Sequence, residues 1–119
     1  MIDLTGKVAL ITGSSRGIGR ACARRLAEAG ADVVVNYLTS RSAAEEAANE
    51  ITSLGSRVAV VKADVSEQDD VLAMIDFVRE QFGRLDILVS NAASGGFRPL
   101  LSTTRKNLEN SLSINVLPL

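Results

Sequence analysis

Short apolar runs alternate with longer amphipathic segments along the chain. Four runs rich in β-branched residues cover Val8–Thr12, Val33–Tyr37, Val58–Lys62 and Ile87–Asn91. None of them alternates with polar residues, and continuous runs of this kind are typical of parallel strands that are covered on both faces. The pattern therefore predicts four strands of a parallel sheet.

The segments between these runs have helical periodicity. After the first run, apolar residues recur on one face of a helix, and Gly30 supplies a stop signal. The predicted apolar face consists of Ile18, Ala21, Cys22, Leu26 and Ala29. A first helix is therefore predicted between the first two strands.

Capping signals predict the next two helices. Ser42 with Glu45 forms a capping-box pattern at the start of the second helix, and Ser66 with Asp69 forms a weaker one at the start of the third. A last helical segment is predicted to begin near Ser102 or Thr103. The sequence stops within that segment, so we expect residues 1–119 to be a truncated part of a longer protein.

The order β-α-β-α-β-α-β-α predicts the fold class. Parallel neighbours joined by right-handed crossovers give an α/β fold with a doubly wound parallel sheet of the Rossmann type. We expect one dinucleotide-binding domain over residues 1–119, with strand order 3-2-1-4 and flanking helices. In that order the first and fourth strands are neighbours, so the glycine-rich segments 12–19 and 90–96 are predicted to line one crevice.

Composition and charge narrow the function. The chain is 46% hydrophobic and 23% charged with a formal net charge of −1, so no bias toward nucleic acid or an anionic membrane is present. No apolar run approaches the roughly 20 residues that a membrane helix needs. Cys22 is the one cysteine and histidine is absent from the sequence, which disfavours a disulfide and a zinc site. We expect a cytoplasmic protein without a metal.

The glycines of TGSSRGIG, Thr12 to Gly19, predict a binding site for a phosphate-bearing ligand. Gly13 permits a sharp turn after the strand, Gly17 lets a pyrophosphate approach backbone N–H groups, and Gly19 lets the helix pack closely. The spacing lacks the Gly-Lys-Ser/Thr ending of a P-loop. A dinucleotide-binding site is therefore predicted, and the alternative is a flexible turn without a ligand.

Three motifs in order resemble those of the short-chain dehydrogenase/reductase family. They are TGSSRGIG, the pair Asp64-Val65 after the third strand, and Ser90-Asn91-Ala92-Ala93 after the fourth. Ser90 and Ala93 depart from the family pattern, which has Asn and Gly there. The resemblance implies an oxidoreductase that uses NADP(H) or NAD(H).

The resemblance also implies roles for individual residues. Asp64 and Val65 flank the adenine, Asn91 and Ala92 stabilise the fourth strand and the nicotinamide side, and Asn115 matches the catalytic asparagine. The predicted cofactor-binding residues are Gly13, Ser14, Ser15, Arg16, Gly17, Ile18, Gly19, Asn36, Tyr37, Arg41, Asp64, Val65, Asn91, Ala92 and Ala93. From the residues alone, Asp64 and Asn91 remain open to a purely structural role in a turn or loop, and Asn115 to a solvated position.

The end of the second strand predicts a preference for NADP(H). Enzymes of this architecture that use NAD usually carry an acid there, which accepts from the ribose 2′-hydroxyl, and Asn36 occupies that place. Arg16 and Arg41 offer guanidinium donors to a 2′-phosphate. Hydroxyl groups are offered by Ser14, Ser15 and Ser40.

The family's catalytic serine, tyrosine and lysine lie beyond the fourth strand. Tyr37 is the one tyrosine of this chain, and it lies in the second strand, so we expect residues 1–119 to be inactive alone. A non-catalytic nucleotide-binding module remains the alternative. The apolar edge Ile87–Val89 predicts association, and a homo-oligomer is expected for the full-length form.

The loop from Asn91 to Pro99 is similar to that of NADPH-dependent bacterial enoyl-acyl-carrier-protein reductases. Its small residues leave room for an extended thioester, and Phe97 offers apolar cover. The resemblance implies reduction of the 2,3 double bond of an enoyl thioester of acyl carrier protein or coenzyme A, as in fatty acid synthesis. A 3-oxoacyl-acyl-carrier-protein reductase is the alternative.

Overall fold

The computed structural model describes residues 2–93 and 100–115. The strands are β1 (Val8–Ile11), β2 (Asp32–Tyr37), β3 (Val58–Lys62) and β4 (Ile87–Val89). The helices are α1 (Gly17–Glu28), α2 (Arg41–Ser53), α3 (Gln68–Phe82) and α4 (Arg105–Asn115), and a 3-10 turn covers Leu100–Ser102. The strands pair in parallel in the order β3-β2-β1-β4, which confirms the predicted fold class and strand order.

Strands β1 and β4 are neighbours at the point where the strand order reverses. Ile11 at the end of β1 lies opposite Val89 at the end of β4. The two segments that follow these strands therefore leave the sheet at the same edge, which is where ligands bind in open parallel sheets.

The core lies on both faces of the sheet. On one face, Ile11 and Val35 pack with Ala23 of α1 and Ala47 of α2. On the other, Leu10 packs with residues of α3 such as Met74 and Val78. The central strands are buried on both sides, as their uninterrupted apolar sequences predict.

The buried face of α1 differs from the predicted one. Ile18, expected inside, is 76% exposed, whereas Gly19, Ala23 and Ala27 are buried. These small residues follow one another at intervals of four, so they share one face and let the helix lie close to the sheet. The larger Ile18 is consequently turned toward solvent.

The predicted capping box of α2 is wrong by two residues. The N-cap is Ser40, whose hydroxyl accepts the Ala43 N–H at 3.3 Å. Ser42 lies within the helix, and Glu45 pairs with Arg41 at 2.9 Å. The chain enters the helix sooner because Ser40 stands in the extended conformation that an N-cap requires.

The predicted box at α3 is also wrong. The N-cap is Glu67 and makes no side-chain capping bond. The Ser66 hydroxyl donates instead to the Asp64 carboxylate at 2.6 Å. A charged acceptor two residues away competes successfully for that hydroxyl, because hydrogen bonds to charged groups are the stronger ones.

Strand β4 lies at the edge of the sheet formed by the described residues. Leu88 in its centre is 56% exposed. Within residues 2–93 and 100–115, none of the helices combines the length and the apolar character needed to cross a bilayer.

Candidate functional site

The turn after β1 requires glycine at its first bend. Gly13 has φ +62°, a left-handed conformation that side chains rarely adopt. A Cβ atom at this position would also lie 2.9 Å from the Ala92 Cα. The sharp turn predicted from the sequence is therefore present, and the segment after β4 packs directly against it.

The other two glycines of the turn have different surroundings. A Cβ on Gly19 would collide with the Gly13 carbonyl oxygen and lie 2.5 Å from Asn91 Nδ2. Gly17 has φ +63°, and among the described residues a Cβ there would meet no atom within 4 Å apart from its own chain neighbours and helix backbone. Gly19 thus permits close packing of α1 on the loop, whereas Gly17 faces open space.

Asn91 fastens the turn to β4. Its side-chain amide donates to the carbonyl oxygens of Thr12 and Gly13 at 3.2 and 3.1 Å. The backbone N–H groups of Asn91 and Ala92 both donate to the Thr12 hydroxyl, at 2.9 and 3.1 Å. The two segments that follow β1 and β4 are therefore hydrogen-bonded into one unit.

Asn36 fastens the same turn to β2. Its Oδ1 accepts the Gly13 N–H at 3.0 Å, and the side chain is 2% exposed overall. Ser14 is fully buried, and its hydroxyl donates to the Ile11 carbonyl and accepts the Asn36 N–H. Contrary to expectation, the Ser14 hydroxyl is committed to the protein and is not available to a cofactor phosphate.

The first turn of α1 has the character of an anion-binding site. Its N-cap, Arg16, makes no side-chain capping bond, and no acidic residue lies in the first turn. The N–H groups at a helix start carry partial positive charge and need an acceptor. Arg16 itself is exposed and, among the described residues, enters no ion pair. Ser15 beside it is 9% exposed.

Arg41 begins α2 just after the end of β2. Its Nε donates to Glu45 Oε1 at 2.9 Å, and the side chain is 77% exposed. The Glu45 carboxylate, followed by the Tyr37 hydroxyl, raises the pKa of Arg41 above its ordinary value. The guanidinium is thus charged, exposed and paired with a surface carboxylate. Tyr37 itself is 7% exposed and packs in the core.

Asp64 builds the turn between β3 and α3. One carboxylate oxygen accepts both the backbone N–H and the hydroxyl of Ser66, at 2.9 and 2.6 Å. The Asp64 N–H donates to Asp70 Oδ2 at 2.8 Å, and Val65 is 9% exposed. The turn role that the sequence left open is therefore realised, while contact with an adenine stays a prediction.

Of the remaining predicted positions, the structure describes Ala93 but not Phe97 or the side chain of Asn115. Ala93 is exposed at the end of the segment after β4. Residues 94–99, which include Phe97, lie outside the described residues, and so does the side chain of Asn115, the last residue of α4.

Thr12 is a site residue that the sequence reasoning missed. Its hydroxyl accepts two N–H groups from the segment after β4 and donates to the Val89 carbonyl at 3.4 Å. A threonine at the end of an apolar run is easily taken as a strand residue, because threonine is β-branched. The pairing of β1 with β4 is what gives the hydroxyl its partners.

Comparison with known proteins gives consistent matches. A model of the family described as short chain dehydrogenase matches residues 7–119. A hydroxynaphthalene reductase-like protein of Metarhizium robertsii is 41% identical over 113 residues, which cover 95% of this chain and 42% of that protein.

Solved structures agree in fold. A short chain dehydrogenase from Burkholderia cenocepacia, in complex with NADP, superimposes with a TM-score of 0.92 at 42% identity, over 97% of this chain and 47% of that one. A hydroxysteroid dehydrogenase from Escherichia coli gives a TM-score of 0.91 at 34% identity, over 98% and 48%. The chain thus spans a little under half the length of the relatives it matches.

Proposed function

Because the chain belongs to the short chain dehydrogenase family, we propose that it forms the dinucleotide-binding part of an NADP(H)-dependent oxidoreductase. The observation that carries this proposal is the glycine turn. Its Gly13 peptide groups are bonded to Asn36 and Asn91, while none of the described residues fills the space in front of Gly17. A rigid turn followed by an unobstructed helix start is what a pyrophosphate needs.

The residues present fit such a cofactor. The N–H groups of the first turn of α1 would bind the pyrophosphate, and the exposed Ile18 would cover it with apolar surface. We place the adenine near Asp64 and Val65, and the nicotinamide near Asn91, Ala92 and Ala93. These assignments follow from the family resemblance and from the shared edge of the sheet at which β1 and β4 end.

The proposed preference for NADP(H) rests on charge at the end of β2. No acidic residue occurs from Asn36 to Ser42, and an acid there would repel a 2′-phosphate. Arg41 follows the strand, and Arg16 lies at the glycine turn; both are exposed. The Burkholderia cenocepacia relative was solved with NADP, which supports the same preference.

NADPH, when bound, supplies a hydride to the substrate. This chain's own contribution is to bind and orient that cofactor. Tyr37 is packed in the core and so does not suit the role of proton donor. We propose that the serine, tyrosine and lysine typical of the family lie outside these 119 residues, and that Asn115 supports them. Assembly into a homo-oligomer and a cytoplasmic location stay predictions.

For the substrate, we propose an enoyl thioester of acyl carrier protein or coenzyme A, with a 3-oxoacyl thioester as the alternative. Both rest on the sequence of residues 91–99, most of which lie outside the described part of the chain. The Metarhizium robertsii relative is named as hydroxynaphthalene reductase-like, and that name favours a third candidate, an aromatic hydroxynaphthalene substrate.

Steady-state assays of the complete gene product test the proposal. NADPH oxidation would be followed with crotonyl, acetoacetyl and hydroxynaphthalene substrates under matched conditions. We expect turnover of crotonyl thioester. Turnover of acetoacetyl or hydroxynaphthalene substrate without crotonyl would overturn the substrate while leaving the oxidoreductase in place. If the complete gene product binds neither NADPH nor NADH, the proposal as a whole is overturned.

A further inference from the structure

Asn36 connects three separate segments of the fold. Its Oδ1 accepts the Gly13 N–H at 3.0 Å, and its Nδ2 donates to the Val61 and Ala63 carbonyl oxygens at 3.4 and 3.3 Å. The glycine turn, the end of β2 and the end of β3 therefore meet at one side chain. With an exposed fraction of 2%, this residue has almost no surface to offer a ligand.

Ser14 completes the connection through its backbone and hydroxyl. The Asn36 N–H donates to Ser14 Oγ at 3.0 Å, and the Ser14 N–H donates to the Asn36 carbonyl at 2.9 Å. The same hydroxyl donates to the Ile11 carbonyl at 2.6 Å. Both residues are buried, so each of these bonds replaces a contact with water that the fold has removed.

We propose that Asn36 is a positioning residue that holds the glycine turn in the shape needed to receive a pyrophosphate, and that it does not read the cofactor's ribose. This inference rests on the proposed function. The N–H groups of Gly13 and Ser14 are bonded to Asn36. A bound anion must therefore be received by N–H groups further along, at the start of α1, whose position depends on the turn.

The chemistry of the side chain explains why an amide is needed. An aspartate at this position could still accept the Gly13 N–H, but it has no hydrogen to donate to the Val61 and Ala63 carbonyls. A buried carboxylate would face two carbonyl oxygens, which is strongly unfavourable. Position 36 therefore cannot carry the acid that binds a ribose 2′-hydroxyl, and Asn36→Asp is not expected to favour NADH.

The test compares Asn36→Asp and Ser14→Ala in the complete gene product, with Asn49→Asp as the matched control. Asn49 is an exposed residue of α2. Affinities for NADPH, NADH and adenosine 2′-monophosphate would be measured by calorimetry below the melting temperature of each variant. Ser14→Ala removes two hydrogen bonds without adding charge, so it decides the question if Asn36→Asp does not fold.

We expect both variants to lower the affinities for NADPH and NADH by the same factor, about tenfold, because buried hydrogen bonds are lost. Adenosine 2′-monophosphate has no pyrophosphate, so its affinity should change by less than about twofold. The control should match wild type. A shift of Asn36→Asp toward NADH, or unchanged binding of both dinucleotides by Ser14→Ala, would overturn the inference. A wild-type protein that binds neither dinucleotide would instead overturn the proposed function.

Discussion

Asn36 and Asn91 bind the same glycine from opposite sides of β1. Asn36, at the end of β2, accepts the Gly13 N–H at 3.0 Å, and Asn91, after β4, donates to the Gly13 carbonyl at 3.1 Å. Because β2 and β4 flank β1 in the sheet, the turn is fixed from both neighbours. The two side-chain amides therefore fix the conformation of the glycine turn.

Replacement of Asn91 should loosen this turn. Asn91→Ala leaves the Thr12 and Gly13 carbonyls without their side-chain donor, and we expect a loss of about 1–3 kcal/mol in the free energy of unfolding. Urea denaturation followed by circular dichroism measures it. Asn49→Ala, at an exposed position on α2, should change stability by less than about 0.5 kcal/mol. Equal effects of the two substitutions would contradict the role given to Asn91.

Alanine substitutions at Gly17 and Gly55 distinguish the effect of backbone strain from the effect of filling the cofactor-binding space. Both have positive φ, and within the described part of the chain a Cβ on either has no contact within 4 Å beyond its own neighbours. Gly55, however, lies at the end of α2 and not at the turn. Alanine should cost about 1–2 kcal/mol of stability at each position. We expect Gly17→Ala to weaken NADPH binding at least about tenfold and Gly55→Ala to leave it unchanged. Calorimetric titration of both variants checks this. Unchanged NADPH affinity in Gly17→Ala would contradict the proposed pyrophosphate site.

The Arg41–Glu45 pair should compete with the 2′-phosphate. Glu45→Gln removes the partner at 2.9 Å and leaves the guanidinium to bind phosphate. Since exposed pairs of this kind contribute about 0.3–0.5 kcal/mol, NADPH affinity should rise about twofold with no change for NADH. An equal change for both cofactors, measured in the same titration, would show that Arg41 does not contact the phosphate.

Asp86 should make the fold sensitive to acid. Hydrogen bonds from Arg84, and then from the Val8 N–H, lower the pKa of its carboxyl. A carboxyl with a lowered folded-state pKa stabilises the fold above its unfolded value, about 4, and that contribution is lost as the pH falls through the folded pKa. Asp86→Asn should therefore flatten the decline of the melting temperature between about pH 5 and pH 3.

The other carboxyls serve as an internal reference for that measurement. Asp3 and Glu28 also have pKa values lowered by side-chain hydrogen bonds, and both are present in the wild type and in Asp86→Asn. A difference in slope between the two proteins therefore reports Asp86 itself. Parallel slopes would mean that the pKa of Asp86 is the same in the folded and unfolded states, which would contradict the prediction.

Strand positions were predictable because they depend on local burial. Uninterrupted β-branched runs indicated strands covered on both faces, and β1 and β2 are almost fully buried. Helix entry was harder, because Ser40 and Ser42 both suit an N-cap, and the conformation of the chain leaving β2 selects Ser40.

The site was less predictable because its key contacts join distant residues. Asn36 was expected to face the ribose, but the carbonyls of β3 and the Gly13 N–H turn its side chain inward. Those partners are brought together by the sheet. Sequence spacing gives no direct indication of them, and the same holds for the Thr12 hydroxyl and the segment after β4.

The most direct measurement is the titration of the complete gene product with NADPH and with NADH under identical conditions. Exposed Arg16 and Arg41, and the absence of an acid from Tyr37 to Ser42, favour a 2′-phosphate. We expect NADPH to bind at least about tenfold more tightly. Equal or tighter binding of NADH, or no binding of either cofactor, would contradict the proposed NADP(H) site.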